Sequence, residues 1–341
     1  MTATEYRVQV AGSDAAFACA RGDTVLRAAQ RAGLGFPYEC NVGSCGTCKF
    51  ELVEGEVLMN WPQAPAWSEK DRQRKRYLGC QAQAHSDCVL KVRVEARYAP
   101  PHRPQRTTAV LQARRAITAD ISEFGFRLGS AQQFEPGQYA LAYLPGVAGG
   151  RAYSMSNNAG DGLSWEFQVR RVPGGQGSAA LFEQLSIGES IEVDGPYGMA
   201  WLKRDAPRDI LCLAGGSGLA PMISIARAAM VEPRLAAREL HFLYGGRTPA
   251  DICGEDLLRE LPGWGERLSY HAAISAPADG PGTDWSGSVG YLHEVAMQRF
   301  GARLAQMEIY FAGPPAMATA MQRMLFDAKV PGEQVHFDAF Y

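Results

Sequence analysis

Long apolar runs are missing from this chain of 341 residues. Nowhere do its apolar residues approach the roughly 20 in a row that a membrane-crossing helix needs, which excludes a helical span. The opening Met1-Thr-Ala-Thr-Glu-Tyr-Arg7 has no apolar core of a secretory signal, so a soluble cytoplasmic protein is the expectation. An excess of one charge is missing too. Lys and Arg number 34 and Asp and Glu 36, a formal net charge of −2, and so balanced a chain gives no sign of nucleic-acid binding. Repeats and low-complexity tracts are absent. The eight cysteines do not form the two short C-x2-C or C-x2-H units of an ordinary zinc site. Without a secretory signal, disulfides are not expected either.

What is present suffices for two or three domains. Hydrophobic residues make up 46% and charged residues 21%, so each domain can bury a core. The cysteines that do cluster are Cys40, Cys45 and Cys48, with Cys80 far downstream. C-x4-C-x2-C followed by a distant Cys is the plant-type ligand spacing of a [2Fe-2S] cluster. Three thiolates on one tight loop and a fourth from elsewhere can surround two irons tetrahedrally. The small residues Gly43, Ser44, Gly46 and Thr47 let backbone N–H groups approach the sulfurs, and those hydrogen bonds help set the potential. A zinc-stapled binding module is the competing, non-enzymatic reading. Cys19, Cys88, Cys212 and Cys253 stand outside the pattern and read as small buried hydrophobes.

Alternation predicts a strand at residues 6–10 with 17–19 as its hairpin partner. A short helix follows, with Asp23 or Thr24 as N-cap and Gly33 as C-cap. Further strands are expected at 49–57, 77–84 and 89–94. A small mixed sheet crossed by one helix, with the cluster at its rim, is the economical fold for residues 1–97. Phe36-Pro-Tyr-Glu-Cys40 and Leu78-Gly-Cys80-Gln81 resemble the plant-type ferredoxin domain. That resemblance implies a β-grasp fold carrying the cluster on Cys40, Cys45, Cys48 and Cys80. Trp61-Pro-Gln-Ala-Pro-Ala-Trp67 is similar to the ferredoxin domains fused to reductases of aromatic-ring oxygenases. The basic run 70–76 reads as a solvated helix face, or as a docking patch for an acidic partner. Residues 98–106, with three prolines, read as an extended, semi-rigid linker.

From 107 to 205, short alternating stretches recur between Gly and Pro residues, the pattern of an all-β barrel. Within it stands Arg151-Ala-Tyr153-Ser154. An Arg fork can pair a phosphate, Tyr can pack on a flavin or ribose, and a Ser hydroxyl can reach a ring nitrogen. Arg170-Arg-Val-Pro-Gly-Gly175-Gln-Gly177-Ser178 can open a helix, and backbone N–H groups at such a start favour a pyrophosphate. This ordered set, closed by Asp194-Gly-Pro-Tyr-Gly198, resembles the flavin domain of the ferredoxin-NADP reductase superfamily. The resemblance implies FAD, with FMN as competitor. Arg151 would hold the pyrophosphate with help from Gly175, Gly177 and Ser178. Tyr153 would pack on the flavin–ribityl region, and Ser154 would hydrogen-bond near flavin N5.

From 206 to 341 the pattern changes to buried apolar strands separated by helical stretches, which predicts a parallel α/β sheet. Asp209-Ile-Leu-Cys-Leu-Ala-Gly215, then Gly216-Ser-Gly218-Leu-Ala-Pro221, then a helix, is the context for a dinucleotide pyrophosphate. Tyr244-Gly-Gly-Arg247 and Gly313-Pro314-Pro315 resemble the nicotinamide domain of the same superfamily. Asp251 could accept from a free ribose diol, which favours NADH, whereas Arg247 could meet a 2′-phosphate. Many relatives have Cys before Gly-Pro; this chain has Ala312. The C-terminal aromatic end, Phe340 included, could cover the flavin.

The fold class expected is therefore multidomain: β-grasp ferredoxin, antiparallel β-barrel and parallel α/β nicotinamide domain. The whole resembles the reductase components of bacterial multicomponent aromatic-ring oxygenases. That implies electron flow from NADH through FAD and [2Fe-2S] to a terminal oxygenase, Rieske or di-iron, or to its ferredoxin. A stand-alone NAD(P)H oxidase or redox sensor is the alternative.

Overall fold

The computed structural model describes residues 4–276 and 285–339. The chain packs as two compact units, Met1–Arg106 with Asp194–Tyr197, and Thr107–Val193 with Gly198–Tyr341.

In the first unit the elements are β1 Glu5–Val10, β2 Ala16–Ala20, α1 Val25–Arg31, β3 Lys49–Glu54 and β4 Val57–Met59, then α2 Glu69–Gln73, β5 Arg76–Leu78, β6 Ala82–Ala84 and β7 Cys88–Lys91. The main sheet runs β2-β1-β7-β3-β5, and β4 pairs with β6 apart from it. Only β1 and β7 are parallel, so the sheet is mixed, and with α1 it makes the β-grasp arrangement. Every residue of α1 from Val25 to Gln30 is buried. Gly33, at φ +83, stops the helix: its N–H donates to Gln30 O, and that of Leu34 to Ala29 O. The expected side-chain N-cap is not used. Thr24 Oγ1 is buried without a partner among the described residues, and Leu26 N–H instead donates to Gly79 O at 2.9 Å.

Two strand expectations need correction. The stretch 77–84 is broken into β5 and β6 by a turn, in which Gln81 N–H donates to Leu78 O at 2.9 Å. The last strand ends at Lys91. Residues 98–106 do not hang free. Gln30 Nε2 donates to Tyr98 O at 3.2 Å and Arg31 Nη1 to Pro104 O at 3.1 Å. Prolines lack N–H donors, but their carbonyls still need partners. Arg31 also forks Asp194 at 2.7 and 2.9 Å, and Tyr197 Oη donates to the same carboxylate.

The second unit begins with β8 Gln105–Ala116, β9 Ile121–Leu128, β10 Tyr139–Tyr143, β11 Arg151–Ser154, β12 Ser164–Arg170, α3 Gln176–Ala179 and β13 Ser190–Tyr197. The sheet order is β11-β10-β13-β8-β9-β12. Its two edges meet where Met155 bridges Phe167 and Ser156 N–H donates to Glu166 O at 2.8 Å. That closure makes a nearly complete antiparallel barrel around Phe124, Phe126, Met155, Trp165 and Phe167.

The elements that follow are β14 Asp209–Gly215, α4 Leu219–Ala229, β15 Leu240–Gly246, α5 Glu255–Arg259 and β16 Leu268–Ile274, then β17 Ser288–Val289, α6 Leu292–Phe300, β18 Met307–Gly313, α7 Pro315–Asp327 and β19 Val335–Ala339. They form a parallel sheet in the order β17-β16-β15-β14-β18-β19. Alternation splits β14 between two cores. Ile210, Cys212 and Ala214 share one with α4 and α5, and Leu211 and Leu213 share the other with α6 and α7. Two covered faces explain the unbroken apolar run. Barrel and sheet lock together: Ser224 Oγ donates to Asn157 O at 2.8 Å, and Arg227 Nη1 to Ser156 O at 2.9 Å. Among the described residues no helix is long and apolar enough to cross a membrane.

Candidate cofactor sites

The cluster loop lies between α1 and β3, and has no regular secondary structure. Its backbone turns on Asn41, Gly43 and Gly46, all at positive φ. A Cβ on Gly43 would stand 3.3 Å from the Trp61 ring, so the loop is packed and not merely flexible. Its four cysteines fall into two pairs. Cys45 N–H donates to Cys40 Sγ at 3.4 Å, and Cys48 Sγ lies 3.4 Å from Cys80 Sγ. Cys40 and Cys45 are half-buried, whereas Cys48 and Cys80 are buried. A hydrogen bond from Cys40 holds the Cys45 thiol down to about 5, and the same sharing pushes Cys40 up. No group of three or more His, Cys, Asp or Glu among the described residues gathers as a single-ion site. Two pairs are what two bridged irons require, each iron taking two protein sulfurs. The thiol set fits a [2Fe-2S] cluster.

In the barrel, β11 pairs with β10 so that Arg151, Tyr153 and Ser154 stand opposite Ala142, Ala140 and Tyr139. The Gly-rich turn comes to the same place. A Cβ on Gly177 would lie 2.9 Å from Tyr153 Oη and 3.1 Å from Arg151 Cγ. Only glycine lets the start of α3 approach the R-x-Y-S strand this closely. Burial pushes the Tyr153 hydroxyl up to about 12, so it stays a neutral donor. Ser154 is buried. Ser178 opens the same helix, α3. Its hydroxyl accepts from Val172 N–H at 3.1 Å and donates to Gly175 O at 3.0 Å. That clamps the loop. Arg151 Nη1 is engaged with Ala148 O at 2.9 Å. A buried hydroxyl, an Arg and a helix start at one point are the parts a flavin dinucleotide needs.

At the carboxyl ends of β14, β15 and β18 the structure gathers Gly216, Gly218, Pro221, Arg247, Asp251, Gly313 and Pro314. Gly215 pairs with Gly245, and Ala214 with Ala312. A Cβ on Gly218 would stand 2.0 Å from Ala312 O, so no side chain is tolerated there. Pro221 sits in the first turn of α4, where its missing N–H costs nothing. Tyr244 Oη donates to Gly216 O at 3.1 Å and steadies the turn. Asp251 has work of its own. Its Oδ2 accepts from Arg247 N–H, Thr248 N–H and Thr248 Oγ1 at 2.9 to 3.2 Å. Its Oδ1 lies 3.7 Å from Arg170 Nη2. Sequence reasoning gave Arg170, at the end of β12, no role beside this turn; it also pairs with Asp120 and stands near Gly216. A basic residue ending a strand carries no signal of such a role. Ala312 is buried. Phe340 lies outside the described residues.

Comparison with known proteins matches three stretches in order. Residues 8–85 match the 2Fe-2S iron-sulfur cluster binding domain, 108–201 the oxidoreductase FAD-binding domain, and 212–323 the oxidoreductase NAD-binding domain. The ferredoxin–NAD(P)+ reductase CarAd of Metapseudomonas resinovorans is 38% identical, across 98% of this chain and 100% of its own. The ferredoxin–NAD+ reductase component of the alkene monooxygenase system of Xanthobacter autotrophicus is 37% identical, across 95% of this chain and 97% of its own. The solved ferredoxin reductase of a carbazole 1,9a-dioxygenase superposes with a TM-score of 0.91 at 36% identity, covering all of both chains. The chain therefore belongs to the ferredoxin–NAD(P)+ reductases, flavin oxidoreductases that carry [2Fe-2S], FAD and NAD-binding modules in one polypeptide.

Proposed function

We propose that the protein is the NADH-dependent reductase component of an aromatic-ring oxygenase system, working in the cytoplasm. Its electrons go to a terminal Rieske dioxygenase or di-iron monooxygenase, or to the ferredoxin that serves one. Residues 1–97 form the cluster module, 107–205 the flavin module and 206–341 the nicotinamide module. The observation that carries the reading is the thiol arrangement: two cysteine pairs in a chain that also holds a flavin barrel and a dinucleotide turn. When bound, FAD takes the two electrons of a hydride and releases them singly, and a [2Fe-2S] cluster carries them one at a time.

The chain's own residues bind and orient. Cys40, Cys45, Cys48 and Cys80 hold the cluster. Arg151 and the N–H groups opening α3 at Gly177 and Ser178 take the FAD pyrophosphate, and Tyr153 packs on the flavin beside it. Ser154 offers its hydroxyl to the ring edge. Gly216 and Gly218 let the nicotinamide dinucleotide approach the start of α4, and Gly313 and Pro314 line the neighbouring strand end. With Ala312 in place of a thiol, hydride transfer rests on positioning. Asp251, by closing the turn beside Arg247, supports preference for an unphosphorylated ribose.

An anaerobic NADH titration of the purified protein, followed by visible and EPR spectra, tests this. Flavin bleaching together with a one-electron-reduced cluster signal is expected, with onward transfer to a purified oxygenase component. NADH consumption by O2 that an oxygenase component leaves unaffected would overturn the assignment in favour of a stand-alone oxidase.

A further inference from the structure

Asn41 follows the first cluster cysteine, stands at φ +54 and is 1% exposed. Asn enters the left-handed region more readily than most side chains, but Gly does so more easily still, so the side chain has another use. Its two ends are in different situations. Arg27, itself 9% exposed, donates from Nε to Asn41 Oδ1 at 3.4 Å and from Nη2 to Asn41 O at 3.3 Å. A guanidinium only donates, so the amide end that faces it must be oxygen. The other end, Nδ2, is buried without an acceptor among the described residues. Such a buried donor destabilises the fold unless something accepts from it.

We propose that Asn41 Nδ2 donates a hydrogen bond to a sulfur of the bound [2Fe-2S] cluster, with Arg27 as the positioning residue that fixes the amide, and that this contact raises the cluster's reduction potential. The inference rests on the reading of Cys40, Cys45, Cys48 and Cys80 as ligands. Reduction adds one negative charge to the cluster, and a donor aimed at sulfur favours the more negative state.

The test is an EPR-monitored redox titration of the full, cofactor-loaded chain. Asn41→Gly keeps the left-handed backbone at no steric cost and removes the amide. It should shift the electron distribution about tenfold away from the cluster, about 59 mV for one electron, and leave the flavin potential in place. Asn41→Asp keeps the acceptor for Arg27 but not the donor, and should shift it at least as far. Unmoved midpoints in both variants, with a normal reduced-cluster signal, would overturn the proposal. So would a drop in Arg27→Gln with none in Asn41→Gly, since charge alone would then suffice. Pulsed EPR on the unsubstituted protein, labelled with 15N in asparagine side-chain amides, guards against misfolded variants. A hyperfine coupling is expected, and its absence overturns the contact. A native chain with no reduced-cluster signal would sink the ligand reading first, and this contact with it.

Discussion

Cys48 Sγ and Cys80 Sγ, 32 positions apart in the chain, stand 3.4 Å from one another. Strand pairing brings them there. In the β3–β5 ladder Lys49 faces Leu78, so the residues just outside it, Cys48 and Gly79, are neighbours. Gly79 N–H then closes on Cys48 O at 2.9 Å. A side chain at position 79 would meet the Phe36 ring at 3.0 Å. The fourth ligand is thus delivered by a sheet register, not by the loop.

Cys45→Ser should separate the two halves of the electron path. NADH should still bleach the flavin at close to the native rate, whereas cluster-dependent cytochrome c reduction should fall to background. Stopped-flow spectra at the flavin band, with iron and labile sulfide analysis, check this. Loss of both activities in a folded variant would contradict a modular path.

Gly177→Ala places a methyl 2.9 Å from Tyr153 Oη. The strand and the helix start must then part, and FAD should be held about tenfold more weakly, a change of about 1.4 kcal/mol. Equilibrium dialysis of the flavin, beside an unchanged circular dichroism spectrum, reads the effect. Native affinity would show that the two motifs do not share one ligand.

Gly218→Ala drives a Cβ into backbone, 2.0 Å from Ala312 O. Overpacking of this kind costs about 1–3 kcal/mol, which denaturant unfolding should register. The dinucleotide turn would shift with it, and kcat/KM for NADH should drop about 100-fold, as for a misplacement of about 1 Å. Flavin content should be unaffected. An unchanged kcat/KM would remove Gly218 from the cradle.

Acid should loosen the cap of α2. Burial raises the Asp71 carboxyl, but hydrogen bonds from Ser68 and the Lys49 ammonium outweigh it and hold the group down to about 2. A depressed carboxylate contributes stability that is fully present above its unfolded value, about 3.9. That stability is lost as pH falls from there through about 2. Ser68→Ala should cost about 1 kcal/mol at neutral pH, and unfolding of Asp71→Asn should be less pH-dependent than the native chain between pH 4 and about 2. Parallel pH profiles for the two would refute the linkage.

Much of this protein is written in its order of residues. C-x4-C-x2-C with a later Cys, R-x-Y-S before a glycine turn, and a glycine turn after an apolar strand each carry chemistry in spacing alone, because thiolates, phosphates and buried strands make local demands. Those demands reached as far as three modules and their cofactors. Tertiary packing decided the rest. The sequence expectation of one strand over 77–84 could not foresee the turn in which Gln81 N–H closes on Leu78 O. Nor could it foresee that Ser178 and Asp251 spend their polar atoms closing their own turns, or that Arg170 stands beside Gly216. Spacing shows which residues can act, but where a hydroxyl or carboxylate finds its partner depends on what the folded chain sets next to it.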